Sequence, residues 1–275
     1  MNTASSSDRP GVPDTGAERP VVLVTGAARR IGRSIALRLA AQGWDVVVHC
    51  RASADEGAET AAQAQALGAR TAVLVADLAD EAACNALVPQ AVAALGRLDA
   101  VVNNASLFAY DSVADFSHDA MARHWAANTA PAVLLGRALH AHLAGRGAQG
   151  CMVNLLDQKL ANPNPDYFSY TLSKAALEAA GTLLAMALAP VLRVCGVAPG
   201  VTLTSGPMTD GEFDAAHRMT PLQRSSTPED IARAVDFLLA SPAITGTTLL
   251  VDGGQHLQAQ PRDVLFLAQQ PAPAA

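Results

Sequence analysis

Tyr170 and Lys174 stand four residues apart in Tyr170-Thr171-Leu172-Ser173-Lys174. On a helix that spacing puts both side chains on one face. A free phenol titrates at about 10, and a neighbouring ammonium is expected to pull that value down, making the hydroxyl a usable proton donor near neutral pH. Tyr167 differs: its fourth neighbour is Thr171, so it has no lysine at helical spacing. A second constellation lies upstream, where the apolar run from Pro20 breaks at Thr25-Gly26-Ala27-Ala28-Arg29-Arg30-Ile31-Gly32. A turn of this kind aims backbone amides and a helix N-terminus at a pyrophosphate, with Gly26 and Gly32 letting chain, ligand and helix approach closely. It also serves as a plain strand-to-helix connection, and a glycine pair alone does not choose between the two.

The end of the next strand, His49-Cys50-Arg51-Ala52-Ser53, narrows the ligand. An acid there would accept hydrogen bonds from the ribose hydroxyls of NAD. Arg51 and Ser53 instead offer a cation and a hydroxyl to a 2′-phosphate, which predicts NADPH. An exposed loop arginine is the plainer alternative for Arg51.

These residues need a scaffold, and the hydropathy pattern supplies one. Val- and Leu-rich runs at Pro20–Thr25, Asp45–His49, Thr71–Val75, Ala100–Val102, Cys151–Leu156, Leu192–Ala198 and Thr247–Val251 have the length and branching of buried strands. Between them lie helical stretches at Arg30–Gln42, Ala54–Leu67, Glu81–Leu95, Ser117–Leu143, Tyr167–Leu188 and Pro228–Leu239, the first three ending near Gly43, Gly68 and Gly96. Strand and helix alternating in this way mean βαβ units. The expectation is an α/β fold, a doubly wound parallel sheet of seven strands in one domain over residues 20–258. The stretch 202–227 interrupts the alternation just after a strand's carboxyl end and is expected to be an irregular substrate lid. Residues 1–19 read as a flexible arm and 259–275 as a loosely held tail.

Composition sets the outer limits. Half of the 275 residues are apolar and 16% are charged, so the chain can bury a large core and is not mainly disordered. A net charge of −6 gives no electrostatic reason to bind nucleic acid over a wide surface. The run from Ala179 to Leu192 is too short for a bilayer span, which needs about 20 residues. The four cysteines are scattered with no CxxC pair and no histidine cluster, which indicates neither a zinc site nor a disulfide framework and fits the cytoplasm.

In chain order the motifs resemble the short-chain dehydrogenase/reductase family. The turn matches its TGxxxGxG loop with Arg30 at the middle glycine, and Asn103-Asn104-Ala105-Ser106 is similar to its NNAG. Tyr170 and Lys174 match its YxxxK pair, and Pro199-Gly200 and Asp252-Gly253-Gly254 follow in the family's order. The resemblance implies a Rossmann-type fold with the nicotinamide cofactor held by Gly26, Arg29, Arg30, Ile31, Arg51, Ser53, Asp77, Leu78, Asn104, Ala105, Ser106, Tyr170, Lys174, Pro199, Gly200 and Thr202. Asp77 would meet the adenine, although an Asp at a strand end also serves as a helix N-cap. Lys174 would hold the nicotinamide ribose. Asn128 would hold a water beside that lysine, unless it is ordinary helix packing. Dimers or tetramers are the family's usual assemblies.

One departure redirects the reading. Thirteen residues before Tyr170, ketone-reducing members place a serine that steadies the carbonyl oxygen, and this chain has Asp157. An ionised carboxylate repels a developing alkoxide but suits an N–H-rich substrate whose C=N bond takes hydride at carbon and a proton at nitrogen. Asp157, Arg30, Ser106 and Phe108 together resemble the pteridine reductases. That resemblance implies a pterin between the nicotinamide and Phe108, Arg30 reaching both phosphate and pterin, Ser106 at both ligands, and Asp157 with Tyr170 delivering protons. The substrate expected is a dihydropteridine such as dihydrobiopterin, dihydromonapterin or dihydrofolate. Two rivals stay open: an NADPH-dependent ketone or quinone reductase, and a non-catalytic NADPH-binding regulator.

Overall fold

The computed structural model describes residues 19–204 and 208–269. The first half runs β1 (Val21–Val24), α1 (Arg30–Ala41), β2 (Asp45–Cys50), α2 (Ala54–Ala66), β3 (Thr71–Val75), α3 (Glu81–Leu95) and β4 (Ala100–Asn103). The second runs α4 (His118–His124), α5 (Ala130–Gly145), β5 (Gly150–Leu155), α6 (Phe168–Leu188), β6 (Leu192–Pro199), α7 (Asp210–Arg218), α8 (Pro228–Ala240), β7 (Thr248–Val251) and α9 (Val264–Ala268). The strands form one parallel sheet in the order β3-β2-β1-β4-β5-β6-β7. The chain winds outward from β1 in one direction and from β4 in the other. The loops after these two strands therefore diverge and open a crevice at the carboxyl ends of the sheet, where such folds hold ligands.

The strands are apolar along most of their length because helices cover both faces. Val22 and Val24 point into a core shared with Ile35 and Leu39 of α1 and Val235 and Leu238 of α8. Their neighbours Val21 and Leu23 point the other way, toward Leu87 of α3 and Leu135 and Leu139 of α5. This period of two divides one strand between two cores and fixes the register. The seven strands and the single-domain doubly wound architecture agree with the pattern in the sequence.

Four local features differ from expectation. The helix expected over Ser117–Leu143 is divided by a wide turn at Trp125–Thr129. Pro131 has no N–H to offer the carbonyl of Ala127, so a regular ladder cannot run through this point. Within 202–227, the irregular stretch contains helix α7, opened by a capping box in which Thr209 and Glu212 satisfy each other's backbone N–H. Arg19, placed in the flexible arm, is anchored: its guanidinium donates to the carbonyls of Gly43 (3.0 Å), Ala40 (3.0 Å) and Gly68. Residues 1–18 of that arm lie outside the described residues. Finally, of the tail expected over 259–275, the stretch 259–269 is held in place, since Val264 and Leu265 are buried and α9 packs on α7, and 270–275 lie outside the described residues.

Helix α6 is long and apolar enough, by length and composition alone, to cross a membrane. Its buried face carries Ser169, Tyr170, Ser173 and Lys174, and it packs against β6.

Candidate active site

At the end of β1, the buried Thr25 hydroxyl donates to the Val102 carbonyl (3.3 Å) and accepts from the N–H groups of Asn104 (2.9 Å) and Ala105 (3.0 Å). The Asn104 amide returns the contact by donating to the carbonyls of Thr25 (2.9 Å) and Gly26 (3.2 Å). Two diverging loops are thus stitched together at the switch point. His49, buried on β2, accepts the Gly26 N–H at Nδ1 (3.2 Å) and faces the Ala76 carbonyl with Nε2 (3.1 Å). One neutral tautomer, protonated at Nε2, satisfies both contacts, and burial keeps this imidazole below its ordinary pKa. Gly26 has φ +62°, and a Cβ on Gly32 would lie 2.2 Å from the Gly26 carbonyl oxygen. Only glycine fits there, and the resulting cradle brings backbone to the ligand space.

The crevice beside this cradle encloses about 430 Å³ and is lined by Gly26, Arg29, Arg30, Ile31, Arg51, Ser53, Asp77, Leu78, Asn104, Ala105 and Ser106. Arg51 is exposed at its edge, and Arg29 lies 3.7 Å from Glu56. Asp77 does not cap α3, a role taken by Asp80; its carboxylate accepts the Ala79 N–H (3.0 Å). Arg30 holds φ +55°, the left-handed conformation that the family's glycine would adopt freely, and its Nη2 donates to the Thr204 carbonyl (3.0 Å).

A second cavity of about 290 Å³ shares Arg30, Ile31, Asn104, Ser106 and Phe108 with the first and continues to Asp157, Tyr170, Lys174, Pro199, Gly200 and Thr202. Of the catalytic, cofactor and substrate residues expected from the sequence, Asn128 lines neither. Its amide is spent as a bracket: Oδ1 accepts from Leu107 N–H (2.6 Å) and the Ser106 hydroxyl (3.3 Å), while Nδ2 donates to the Leu107 carbonyl (3.0 Å) and the Ser173 hydroxyl (2.9 Å). It thereby fixes the Ser106–Phe108 strip against α6, and its amide makes no contact with Lys174. Thr202 also keeps its hydroxyl inside, bonded to the Gly200 carbonyl (2.9 Å) and Ser226 (2.7 Å).

Tyr170 sits in the first turn of α6, where Asp111, from the loop between β4 and α4, accepts the N–H and hydroxyl of Ser169. The Tyr170 hydroxyl donates to Asp157 Oδ2 (2.8 Å), and the Lys159 N–H occupies Oδ1 (2.9 Å). Lys174 Nζ turns to the Leu155 carbonyl (2.6 Å) and lies 5.8 Å from the Tyr170 ring centroid. Burial lowers this ammonium to about 8. The expected depression of the Tyr170 pKa is not found: burial first, and then the charge of Asp157, push the phenol well above its ordinary value. The carboxylate rather than the lysine is the hydrogen-bonded partner, and it stabilises the neutral hydroxyl. Burial likewise pushes Asp157 above the usual carboxylate range, against the hydrogen bonds from Lys159 and Tyr170. The arrangement is a shielded carboxyl–phenol pair that retains protons and can deliver them into a cavity.

Phe108 is 42% exposed, stacks on Tyr167 (centroids 4.2 Å apart, 17°) and meets Tyr170 edge-on (4.7 Å). Tyr167, which lacked a lysine partner in the sequence, is a supporting slab: it holds φ +54° at the start of α6 and touches Tyr110 (5.1 Å) and Phe266 (6.5 Å). Of the apolar residues between 202 and 227, Met208 lines the second cavity and Phe213 packs on His217 (4.3 Å). Thr25, His49, Lys159 and the segment at Arg262–Phe266 escaped the sequence reading. A strand histidine and a lone loop lysine carry no spacing signal, whereas the Thr209-Asp210-Gly211-Glu212 capping box that opens α7 was readable.

A family pattern described as enoyl-(acyl carrier protein) reductase matches residues 26–256. The structure of FolM alternative dihydrofolate reductase 1 from Brucella canis, complexed with NADP, is 39% identical, with a TM-score of 0.84 over 88% of this chain and 95% of that one. Pteridine reductase 1 of Leishmania tarentolae is 34% identical, covering 86% of this chain and 96% of its own length. The Streptomyces violaceoruber protein named for ketoacyl reductase 2 of the granaticin polyketide synthase is 36% identical over 87% of this chain and 97% of its own. With the glycine cradle, the Tyr170/Lys174 pair and matches over this length, the chain belongs to the short-chain dehydrogenase/reductase family.

Proposed function

We propose that this oxidoreductase reduces a dihydropteridine to its tetrahydro form with NADPH. The observation that carries the reading is the Tyr170–Asp157 hydrogen bond of 2.8 Å at the wall of a cavity shared with Arg30, Ser106 and Phe108. The glycine cradle, the exposed Arg51 and the half-buried Ser53 fit a pyrophosphate and a 2′-phosphate. NADP in the Brucella FolM structure supports the same cofactor.

NADPH, when bound, supplies the hydride. The chain's own groups do the rest. Phe108, held by Tyr167 and the Asn128 bracket, offers a flat apolar face to a flat heterocycle, worth about 0.5–1.5 kcal/mol beyond area burial by analogy with aromatic pairs. Arg30 offers guanidinium N–H groups from the wall between the two cavities, and Ser106, whose hydroxyl proton goes to Asn128, offers an acceptor oxygen there. Lys174 binds ribose hydroxyls from the floor of the cleft. As C6 of the pteridine accepts hydride, N5 becomes basic and takes one proton from the Asp157–Tyr170 pair, which solvent restores. The balance is dihydropteridine, NADPH and H⁺ to tetrahydropteridine and NADP⁺. In assembly, exposed Leu183 (66%) and Met186 (76%) on α6 support a homo-oligomer.

The identity to a ketoacyl reductase favours a second reading, in which Asp157 stays protonated and the substrate is a ketone. Both are tested by following NADPH oxidation with dihydrobiopterin and dihydrofolate beside a panel of ketones and quinones. Pteridine turnover is expected. Turnover of ketones alone would establish the second reading, and binding of NADPH without turnover of any substrate would point to a regulator.

A further inference from the structure

The cavity over Asp157 has a wall supplied by the C-terminal segment. Arg262 grips the Asp166 carboxylate with Nε and Nη2 (2.8 Å each), and Asp166 Oδ2 also accepts the Asp263 N–H (2.7 Å). Asp263 Oδ2 accepts from Lys159 Nζ (3.3 Å), a buried ammonium that also donates to the Asp166 carbonyl (2.6 Å) and lies 5.4 Å from the Tyr167 ring centroid. The remaining oxygen of Asp263 caps α9 by accepting the Leu265 N–H (3.2 Å). These ties place Asp263 and Val264 in the lining of the cavity that holds Asp157. Lys159 joins the two carboxylates: its ammonium partners Asp263, and its backbone N–H orients Asp157.

The charged and titratable groups lining this cavity with Asp157 are Tyr170 and Lys174 from α6, Lys159 from its own turn, Arg30 from the start of α1, and Asp263. Among the described residues, Asp263 is the other carboxylate of that lining. A second anion in a shielded space disfavours ionisation of the first. We propose that Asp263 is a positioning residue: carried into the substrate cavity by the C-terminal segment and tied to Lys159, it keeps on the Asp157–Tyr170 pair the proton that reduction consumes. This rests on the proton role given to that pair above. The charge of Asp263 acts in the required direction on both members, adding to burial in raising Asp157 and Tyr170.

The sign is fixed. A carboxyl group with a raised pKa is protonated below that value and loses its proton as pH climbs through it. Asp263→Asn removes the neighbouring charge yet leaves an oxygen to cap α9, so Asp157 should ionise at lower pH. Lys159→Met frees the Asp263 charge from its partner, so ionisation should come at higher pH. The test titrates the carboxylic-acid infrared band of Asp157, assigned with Asp157→Asn, in full-length wild type and both variants, alongside the pH profile of kcat with dihydrobiopterin. A downward shift of about one pH unit is expected for Asp263→Asn, with an upward shift for Lys159→Met and an unchanged KM for NADPH. An infrared midpoint that is the same in wild type and Asp263→Asn overturns the proposal, as do shifts of the same sign in the two variants, which mere loosening of the segment would give. If wild type reduces no dihydropteridine, the substrate reading fails, while the infrared titration, which needs no substrate, still decides on Asp263.

Discussion

At the crevice between β1 and β4, shape comes from backbone groups and a few side chains that bond to backbone, the buried Thr25 and His49 and the half-buried Asn104. The cavity over Asp157 is shaped by charged and aromatic side chains from stretches far apart in sequence: Phe108, Lys159, Tyr167 and Asp263. A pyrophosphate is the same in every nicotinamide dinucleotide, so amides and glycines suffice and the cradle can be generic. A substrate ring is recognised by donors, acceptors and stacking faces that differ between molecules, so that end must be made of side chains. Of the three non-glycine residues held in left-handed conformations among the described residues, Tyr167 braces the second end, Arg30 lines both, and Gln223 lies in the turn between α7 and α8.

The contrast breaks most sharply at Tyr170. Replacing it by Phe keeps the ring against Phe108 and deletes only the hydroxyl bonded to Asp157. Steady-state turnover should fall by about 10²–10⁴-fold while NADPH affinity holds. Unchanged turnover would mean that the proton comes from elsewhere, and an equal loss of cofactor affinity would mean that the two ends are not separable. Arg51→Ala acts on the other end. Losing a charge-assisted contact of about 1.5–3 kcal/mol should raise KM for NADPH roughly ten- to a hundredfold and leave KM for NADH nearly alone. Equal effects on both cofactors would remove the 2′-phosphate argument for Arg51.

The same contrast explains what could be read without coordinates. The sheet was legible because buried parallel strands are mostly apolar along their length, as in Val21–Val24 and in the Val46–Val48 core of β2. The cradle was legible because Gly26 and Gly32 are forced by a positive φ and a 2.2 Å approach. The cavity over Asp157 was legible only where a family motif marks it, at Asp157, Tyr170 and Phe108. Lys159 meets Asp263 across 104 residues of sequence, and nothing local to either announces the pair. The pKa of Tyr170 was misjudged for a related reason: helical spacing names Lys174 as its neighbour, whereas the hydrogen-bonded neighbour comes from the turn after β5. Asn128 was found by motif, but its bracket depends on a wide turn that Pro131 imposes four residues after Ala127.

The finest test falls on the wall the two ends share. Arg30 occupies a left-handed position at φ +55° with its guanidinium on the Thr204 carbonyl (3.0 Å), and it lines both cavities. An L-residue held there costs about 1 kcal/mol or more relative to glycine. Arg30→Gly should therefore stabilise the fold by about 1 kcal/mol, a rise in Tm of about 2–4 °C for a domain of this size. If the strain serves binding, the gain comes with about a tenfold rise in KM for the pteridine, as a charged hydrogen-bond donor is lost, and a smaller rise for NADPH, whose phosphates keep the amides of the cradle. Calorimetry beside steady-state kinetics reads both. A stabilised variant with both KM values unchanged would return Arg30 to the surface. A variant that loses NADPH first would show that the arginine belongs to the backbone-built end, and the boundary between the two ends would move to Ser106 and Phe108.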